Sequence, residues 1–251
     1  MKRFKLVVAY DGTDYSGWQV QPSAKTIEGV LNEELSKLTG EQIVVMGASR
    51  TDAGVHAFGN VAVFDSETPI PGEKLLFALN PRLPEDIRIV ESEEVAEDFH
   101  PRFCDTRKTY EYHICTGRVL FPTKRLYSHW TPRHLDVQAM REAGKFLEGE
   151  HDFKSFCAAG AQVKTTVRTV TKVEVEECSS GESVGQEIVI RIQGEGFLYN
   201  MVRIISGTLM KAGYHMWPPE HMKEIMEGRD RSLAGETVPA NGLFLKEIEY
   251  L

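Results

Sequence analysis

The sequence predicts an α+β fold made of two ferredoxin-like units, each with the order β-α-β-β-α-β, that form one mostly antiparallel sheet with helices on one side. Hydrophobic periodicity indicates this order in the first half of the chain, and the second half repeats it with one added helix. No Ser/Gly linker or low-complexity tract separates the halves. We therefore expect one continuous globule with an N-terminal half over residues 1–105 and a C-terminal half over residues 106–251.

Each element follows from the spacing of its apolar residues. In the first half, strands are predicted at residues 4–8, 42–46, 60–64 and 87–90, and helices at residues 26–38 and 72–79. In the second half, strands are predicted at residues 109–115, 168–176, 187–192 and 243–248, and helices at residues 136–147, 197–212 and 220–227. Helices on one face leave the other face free, so we expect a central cleft there for a large ligand.

The helix predicted from residue 197 is apolar on nearly every face, which indicates burial. Arg203 lies in the middle of this run. Its guanidinium keeps its charge, so burial requires a carboxylate or several carbonyls to offset desolvation. A structural ion pair or a side chain that reaches solvent would explain it. The functional hypothesis is that Arg203 keeps a catalytic acid ionised.

The glycine-containing segment at residues 47–59, GASRTDAGVHAFG, is the best candidate for a site loop. Glycine permits tight turns and close backbone approach, and Asp52 lies between two predicted strands, where a loop carboxylate can point at a ligand. The alternative is that Asp52 serves only the turn. His56 suggests a metal or a base, but no second His or Cys lies at ligand spacing, so we expect no metal.

Composition excludes several classes of protein. The 251 residues are 41% hydrophobic and 26% charged, which excludes disorder and collagen-like architectures. The four cysteines form no CxxC pair, and we interpret them as reduced thiols of a cytoplasmic protein. No signal peptide and no apolar run long enough for a membrane span is recognisable, so we expect no membrane partner.

The net charge of −8 argues against a polyanionic partner, but the charge is unevenly distributed. Residues 98–134 carry seven Lys and Arg against three acids, together with four histidines. A net acidic protein can carry a local basic face, and binding to nucleic acid depends on that face. Solvated surface charge is the alternative explanation.

Five motifs, in order along the chain, resemble the TruA family of tRNA pseudouridine synthases. They are YDGTDYSGWQ at residues 10–19, SRTDAGVHA at 49–57, RKTYEY at 107–112, GEGFLYNMVRIISG at 194–207 and ANGLFL at 240–245. The resemblance covers essentially the whole chain, and RTDAGVHA followed at this distance by a MVR helix is highly specific. Two positions depart from the family pattern: Ser49 replaces the usual Gly, and Glu28 replaces a frequent Gln.

The resemblance implies a homodimeric, cofactor-free and metal-free isomerase that converts uridine to pseudouridine at positions 38 to 40 of the tRNA anticodon arm. The central cleft would then bind RNA. By resemblance, Asp52 is the catalytic aspartate and Tyr110 stacks beside the target uracil. Arg203 would pair with the catalytic acid, and Arg50 would take the place of the flipped nucleotide.

The resemblance also assigns Leu243 and Leu245 to an apolar strand near the base pocket. Glycoside hydrolysis also uses a carboxylate at an anomeric carbon, but it normally requires two flanking carboxylates, and Asp52 has no acid partner in its loop. A non-catalytic RNA-binding module would show paired aromatics in an RNP-type strand, which no segment matches. A synthase of the same family that acts on another uridine or RNA is the remaining alternative.

Overall fold

The computed structural model describes residues 1–160, 163–178 and 185–251. Its contacts divide the chain into two compact units. The first unit contains Met1–Thr106 and Phe244–Leu251, and the second contains Arg107–Leu243. The last strand, which the sequence analysis included in the C-terminal half, thus groups with the first unit.

The described residues form strands and helices in the following order. The strands are β1 (Lys2–Tyr10), β2 (Met46–Gly47), β3 (His56–Ser66), β4 (Ile87–Val95), β5 (Thr106–Thr116), β6 (His129–Thr131), β7 (Gly149–Asp152), β8 (Val167–Cys178), β9 (Glu187–Gly194) and β10 (Leu243–Tyr250). The α-helices are α1 (Ile27–Thr39), α2 (Leu75–Leu79), α3 (Val137–Lys145), α4 (Met201–Gly213) and α5 (His221–Gly228). The predicted α+β class is confirmed, and sequence periodicity missed the short strands β6 and β7.

In the first unit, strands β4, β1 and β3 are antiparallel neighbours, with Phe4 opposite Phe64. The N-terminal end of β3 pairs in parallel with β10, and its middle pairs antiparallel with β2. Alternate residues of β1 are buried against the core, as a strand with one covered face requires. Helix α1 buries Ile27, Leu31 and Leu35, which lie on one face at a spacing of four residues.

In the second unit, strands β5, β9, β8 and β7 are antiparallel neighbours in that order, and β6 pairs in parallel with β5. The alternate residues Ile188, Ile190 and Ile192 of β9 are buried. Helix α4 buries eleven of its thirteen residues, so the burial that its composition predicts is confirmed.

The strand predicted at residues 42–46 is wrong except for its last residue, because backbone groups there bond to helix α1 instead of a strand. The Ile43 N–H donates to the Ser36 hydroxyl at 2.9 Å, and the Val45 N–H donates to Asn32 Oδ1 at 2.8 Å. Two side chains of the helix thus replace a strand ladder. Only Met46 and Gly47 pair with β3.

The predicted helix start at residue 197 is also wrong, because helix α4 begins at Met201. Asn200 has a φ of 59°, in the left-handed region, so it cannot continue a right-handed helix from the preceding residues. Arg203 therefore lies in the first turn of the helix and not in its middle. Its side chain is half-buried rather than fully buried.

Candidate active site

The loop that carries Arg50 and Asp52 connects β2 to β3 in the first unit. Arg50 is exposed and Asp52 is half-buried, while Ser49 and Thr51, on the two sides of Arg50, are buried. Buried residues thus alternate along this loop with residues that are accessible to solvent. Such an arrangement presents a cation and a carboxylate from a supported backbone.

Asn60, a fully buried residue of β3, holds the loop at Ser49. Its Nδ2 donates to the Ser49 carbonyl at 2.9 Å, and its Oδ1 accepts from the Ser49 N–H at 3.2 Å. Ser49 does not lie in the left-handed region of φ. The serine that departs from the family pattern therefore occupies a backbone conformation that does not require glycine.

Tyr10, at the end of β1, holds the loop at Thr51. The two hydroxyl oxygens are 2.7 Å apart, and Asn60 Nδ2 lies 3.4 Å from the same Tyr10 hydroxyl. The Thr51 carbonyl accepts the Trp18 N–H at 3.0 Å. Sequence analysis did not single out Tyr10 or Asn60, because their role depends on the pairing of β1 with β3.

Two glycines let the segment at residues 10–19 lie directly against the loop backbone. A Cβ on Gly12 would lie 2.0 Å from the Val55 carbonyl oxygen. A Cβ on Gly17, whose φ is +85°, would lie 2.6 Å from the Thr51 carbonyl oxygen. Any side chain at either position would displace the backbone around Asp52. The YDGTDYSGWQ motif therefore supports the loop sterically.

His56 is almost fully buried at the start of β3, where it contacts the same supporting segment. Its Nδ1 lies 3.1 Å from both the Gly12 N–H nitrogen and Asp11 Oδ1, and its ring stacks on Phe244 with centroids 4.6 Å apart. Among the described residues, no group of three or more His, Cys, Asp and Glu side chains could hold a metal ion. His56 thus acts as a packing and hydrogen-bonding residue here.

The apolar residue Leu245 is completely buried on β10, where it lies opposite Ala57 of β3. Ala57 follows Asp52 by five positions in the sequence. Leu243, the other residue of this pair in the family motif, is nearly buried and belongs to the second unit. The structure therefore places Leu245 beside the strand that follows the loop of Asp52.

Arg102 is a second cation beside the loop, and sequence analysis included it only within the basic stretch. Its Nε donates to the Gly47 carbonyl at 2.6 Å, where the loop begins. Burial of its side chain and the neighbouring Arg50 cation lower the pKa of Arg102. The Arg50 and Arg102 guanidinium groups thus repel one another within the first unit.

In the second unit, Tyr110 is buried on β5. Its ring and that of Phe197 are nearly perpendicular, with centroids 5.1 Å apart. Tyr112, two residues along the same strand, donates its hydroxyl hydrogen to the Pro239 carbonyl at 2.9 Å. Burial raises the pKa of Tyr112, and the Arg203 charge opposes that rise. The Arg203 charge therefore acts on Tyr112, two residues from Tyr110.

The Arg203 guanidinium donates to oxygen atoms in its own unit. Its Nε donates to the Val238 carbonyl at 2.7 Å, and its Nη1 donates to Asn200 Oδ1 at 2.8 Å. These oxygens supply part of the compensation that a half-buried guanidinium requires. Asp52 belongs to the first unit and Arg203 to the second, so their ion pair stays a prediction.

No helix in the described ranges is both long and apolar enough to cross a bilayer. The four cysteines are all free thiols.

Comparison with known proteins identifies relatives along the entire chain. A family model described as tRNA pseudouridine synthase matches residues 6–104 and 143–251. A Clostridium perfringens protein named tRNA pseudouridine synthase A 2 is 45% identical over 250 residues, with 100% of both chains covered. The tRNA pseudouridine synthase A of Brevibacillus brevis is 46% identical over 250 residues, also with 100% of both chains covered.

A third relative, the tRNA pseudouridine synthase A of Syntrophomonas wolfei, is 42% identical over 250 residues and covers 100% of this chain and 98% of its own. Identity at this level over full length implies a common fold and family chemistry. The chain therefore belongs to the tRNA pseudouridine synthase family and is an isomerase that converts uridine to pseudouridine.

Proposed function

We propose that this enzyme modifies uridines at positions 38 to 40 in the anticodon stem-loop of tRNA, with Asp52 as its catalytic carboxylate. The observation that carries the assignment of Asp52 is the support of its loop. Asn60 and Tyr10 hold the residues on both sides of Arg50, immediately before Asp52. A carboxylate on a supported loop can keep one position relative to a bound nucleotide, which is a requirement of efficient catalysis.

The reaction breaks the N1–C1′ bond of uridine, rotates the uracil and forms a C5–C1′ bond. The C5 hydrogen leaves as a proton and N1 gains one, so substrate and product are isomers. A carboxylate near the sugar and the base can attack as a nucleophile or stabilise the charge that develops. Asp52 supplies that group in this proposal.

Arg50 and Tyr110 have complementary roles toward the target nucleotide. A uridine inside a stem must leave the base stack before a carboxylate can reach it, which costs a few kcal/mol. Arg50 is exposed and can enter the space that the nucleotide vacates. The ring of Tyr110 offsets part of the unstacking cost by contact with the uracil. Leu245, which is completely buried, supports the apolar side of the base pocket from the interior.

Arg203 completes the site by keeping Asp52 ionised. Its two oxygen partners in the second unit, Val238 and Asn200, orient the guanidinium. A cation near a carboxylate lowers the pKa of the carboxyl group and so favours the charged form. We further propose that the enzyme works as a homodimer in the cytoplasm, where its four free cysteines stay reduced.

The test is incubation of the enzyme with unmodified tRNA transcripts, followed by mapping of pseudouridine at single-base resolution with carbodiimide chemistry. Product confined to positions 38, 39 or 40 is the expected result. Product at another uridine, or only in another RNA, would support the alternative that a synthase of the same family has a different target. Binding without any product would support a non-catalytic RNA-binding module.

A further inference from the structure

Phe103 is the most exposed aromatic side chain in the described part of the chain, with 85% of its surface accessible. Its ring stacks on that of His100, with centroids 3.9 Å apart and planes 17° apart. A single exposed aromatic ring is common on protein surfaces, but this one is stacked and so has a fixed orientation. The stack leaves the outer face of Phe103 available to a further planar group.

The turn that carries this ring is held from several sides within the first unit. The Arg102 N–H donates to His100 Nδ1 at 3.1 Å, and the Phe103 N–H donates to the His100 carbonyl at 3.3 Å. The Tyr250 hydroxyl donates to the Pro101 carbonyl at 3.2 Å. The exposed ring therefore stands on an ordered support, which lowers the entropy cost of binding.

One cation, Arg102, directly precedes the ring in the chain. Arg102 donates to the Gly47 carbonyl at the start of the Asp52 loop, and the charges of Arg50 and Glu28 act on the pKa of Arg102 in opposite directions. Two guanidinium groups repel one another, and a phosphate between or beside them would relieve that repulsion. A flat ring beside clustered arginines is the combination that binds unpaired nucleotides.

We propose that the His100–Phe103 stack and Arg102 form a second nucleotide subsite, in which Phe103 stacks on an unpaired base of the tRNA and Arg102 contacts a phosphate of the tRNA backbone. The subsite rests on the proposed function of the Asp52 loop, because Arg102 attaches it to that loop. It would hold the tRNA in register while the target nucleotide is out of the stack.

The experiment measures the Kd for an unmodified tRNA transcript by filter binding, together with KM and kcat, for Phe103→Leu and Phe103→Trp. Leucine keeps an apolar side chain but removes the aromatic face. We expect Phe103→Leu to raise Kd and KM about 5- to 150-fold, the range for loss of one base-stacking contact, with kcat at saturating tRNA unchanged. We expect Phe103→Trp to bind like the parent, and tRNA to quench the fluorescence of the added indole.

Phe77→Leu is the matched control. Phe77 is also exposed, at 65%, and also has a cation near its ring, since Lys74 Nζ lies 5.7 Å from the centroid. The Kd of the Phe77→Leu variant for tRNA should equal that of the parent. The proposal would be overturned if the Kd of Phe103→Leu for tRNA equalled that of the parent. It would also be overturned if tRNA did not change the fluorescence of the added indole in Phe103→Trp.

Sedimentation of the same variants tests the competing occupant, a second copy of the chain. Dissociation of a dimer caused by Phe103→Leu would show that the ring lies in a protein interface and would overturn the proposal. The binding measurement does not depend on turnover. A protein that forms no pseudouridine would therefore contradict the proposed function while the Kd ratio still decides the subsite.

Discussion

Asn60 satisfies both backbone hydrogen-bonding groups of Ser49 with one amide side chain. Both residues are buried, and the donor–acceptor distances are 2.9 and 3.2 Å. The pair connects the interior of β3 to the loop that presents Arg50 and Asp52. The position of the candidate catalytic carboxylate therefore depends on a residue eight positions further along the chain.

Replacement of Asn60 by alanine should reduce both stability and turnover. Asn60→Ala leaves the N–H and carbonyl of Ser49 buried without these partners, which should lower the free energy of unfolding by about 2–4 kcal/mol. Because the loop is then less well held, kcat of the folded enzyme should fall at least about tenfold. Urea denaturation and single-turnover kinetics below the unfolding transition measure the two effects.

Asn80→Ala is the matched control for that variant. The Asn80 amide contacts the N–H and carbonyl of Ile89 in the same two-sided way, at 2.8 and 2.9 Å, in a different part of the first unit. It should lower stability without lowering kcat of the folded protein. Equal kcat for the two alanine variants would show that Asn60 only stabilises the fold.

Asp52→Asn should abolish isomerisation and leave tRNA affinity within a few-fold of the parent. The substitution keeps the size of the side chain and removes its charge, so it removes nucleophilic or electrostatic assistance while conserving shape. Release of tritium from 5-³H-uridine in tRNA measures turnover, and filter binding measures affinity. Turnover at a tenth of the parent rate or more would exclude Asp52 from the catalytic role.

Asp52 and Arg203 should behave as a coupled pair in a double-mutant cycle. Arg203→Met should lose activity and raise the pKa of Asp52, because the cation that favours the carboxylate is gone. The double variant with Asp52→Asn should be destabilised by about 1–3 kcal/mol less than the sum of the single variants. Denaturation of all four proteins measures the coupling.

The control cycle for this pair combines Asp52→Asn with Asn200→Gly. Glycine accepts the positive φ of Asn200 and removes the amide that contacts Arg203. This cycle should be closer to additive than the first. Additivity of Asp52→Asn and Arg203→Met, within about 0.5 kcal/mol, would mean that the two side chains do not interact.

The basic stretch at residues 98–134 should give tRNA binding a steep salt dependence despite the net charge of −8. Arg125 is exposed within this stretch. The substitution Arg125→Glu should weaken binding to all tRNAs alike and reduce the slope of log affinity against log salt concentration by about one. Arg82→Glu, an exposed control outside the stretch, should change neither quantity. A slope near zero for the parent would argue against contact with the phosphate backbone.

The ion pair between Arg3 and Asp65 should contribute stability that depends on pH. Arg3 Nε and Nη2 each lie 2.7 Å from a carboxylate oxygen, and this hydrogen bonding to Arg3 lowers the pKa of Asp65. A lowered folded-state pKa stabilises the fold above the unfolded value of about 3.9, and this contribution is lost as the pH falls through the folded-state value.

Asp65→Asn should therefore lower the free energy of unfolding at pH 7 by about 0.5–1 kcal/mol, since both partners are partly solvated. The difference in the free energy of unfolding between variant and parent should disappear as the pH falls below about 4. Urea denaturation across this pH range measures it. A difference that is the same at pH 3 and pH 7 would show that packing, and not charge, accounts for the loss.

The sequence by itself determined the α+β class, the order of the main elements and the loop that carries Asp52. These features are local: apolar periodicity predicts strands and helices, and a glycine-containing motif with one carboxylate is visible in nine consecutive residues. The near-complete burial of helix α4 also follows from its apolar composition. The family motifs add the roles of Tyr110 and Arg203 only as expectations.

Only the tertiary structure decided which residues support the Asp52 loop and where β2 and α4 begin. Tyr10 and Asn60 meet the loop only because β1 and β3 pair in their particular register, which no local pattern specifies. Strand β2 is short because two polar side chains of α1 bond to the backbone before it. Likewise, the left-handed backbone of Asn200 delays helix α4, and so Arg203 lies in the first turn beside Val238. Each outcome depends on hydrogen bonds between residues that are distant in sequence or on one unusual backbone angle, which hydrophobic periodicity does not encode.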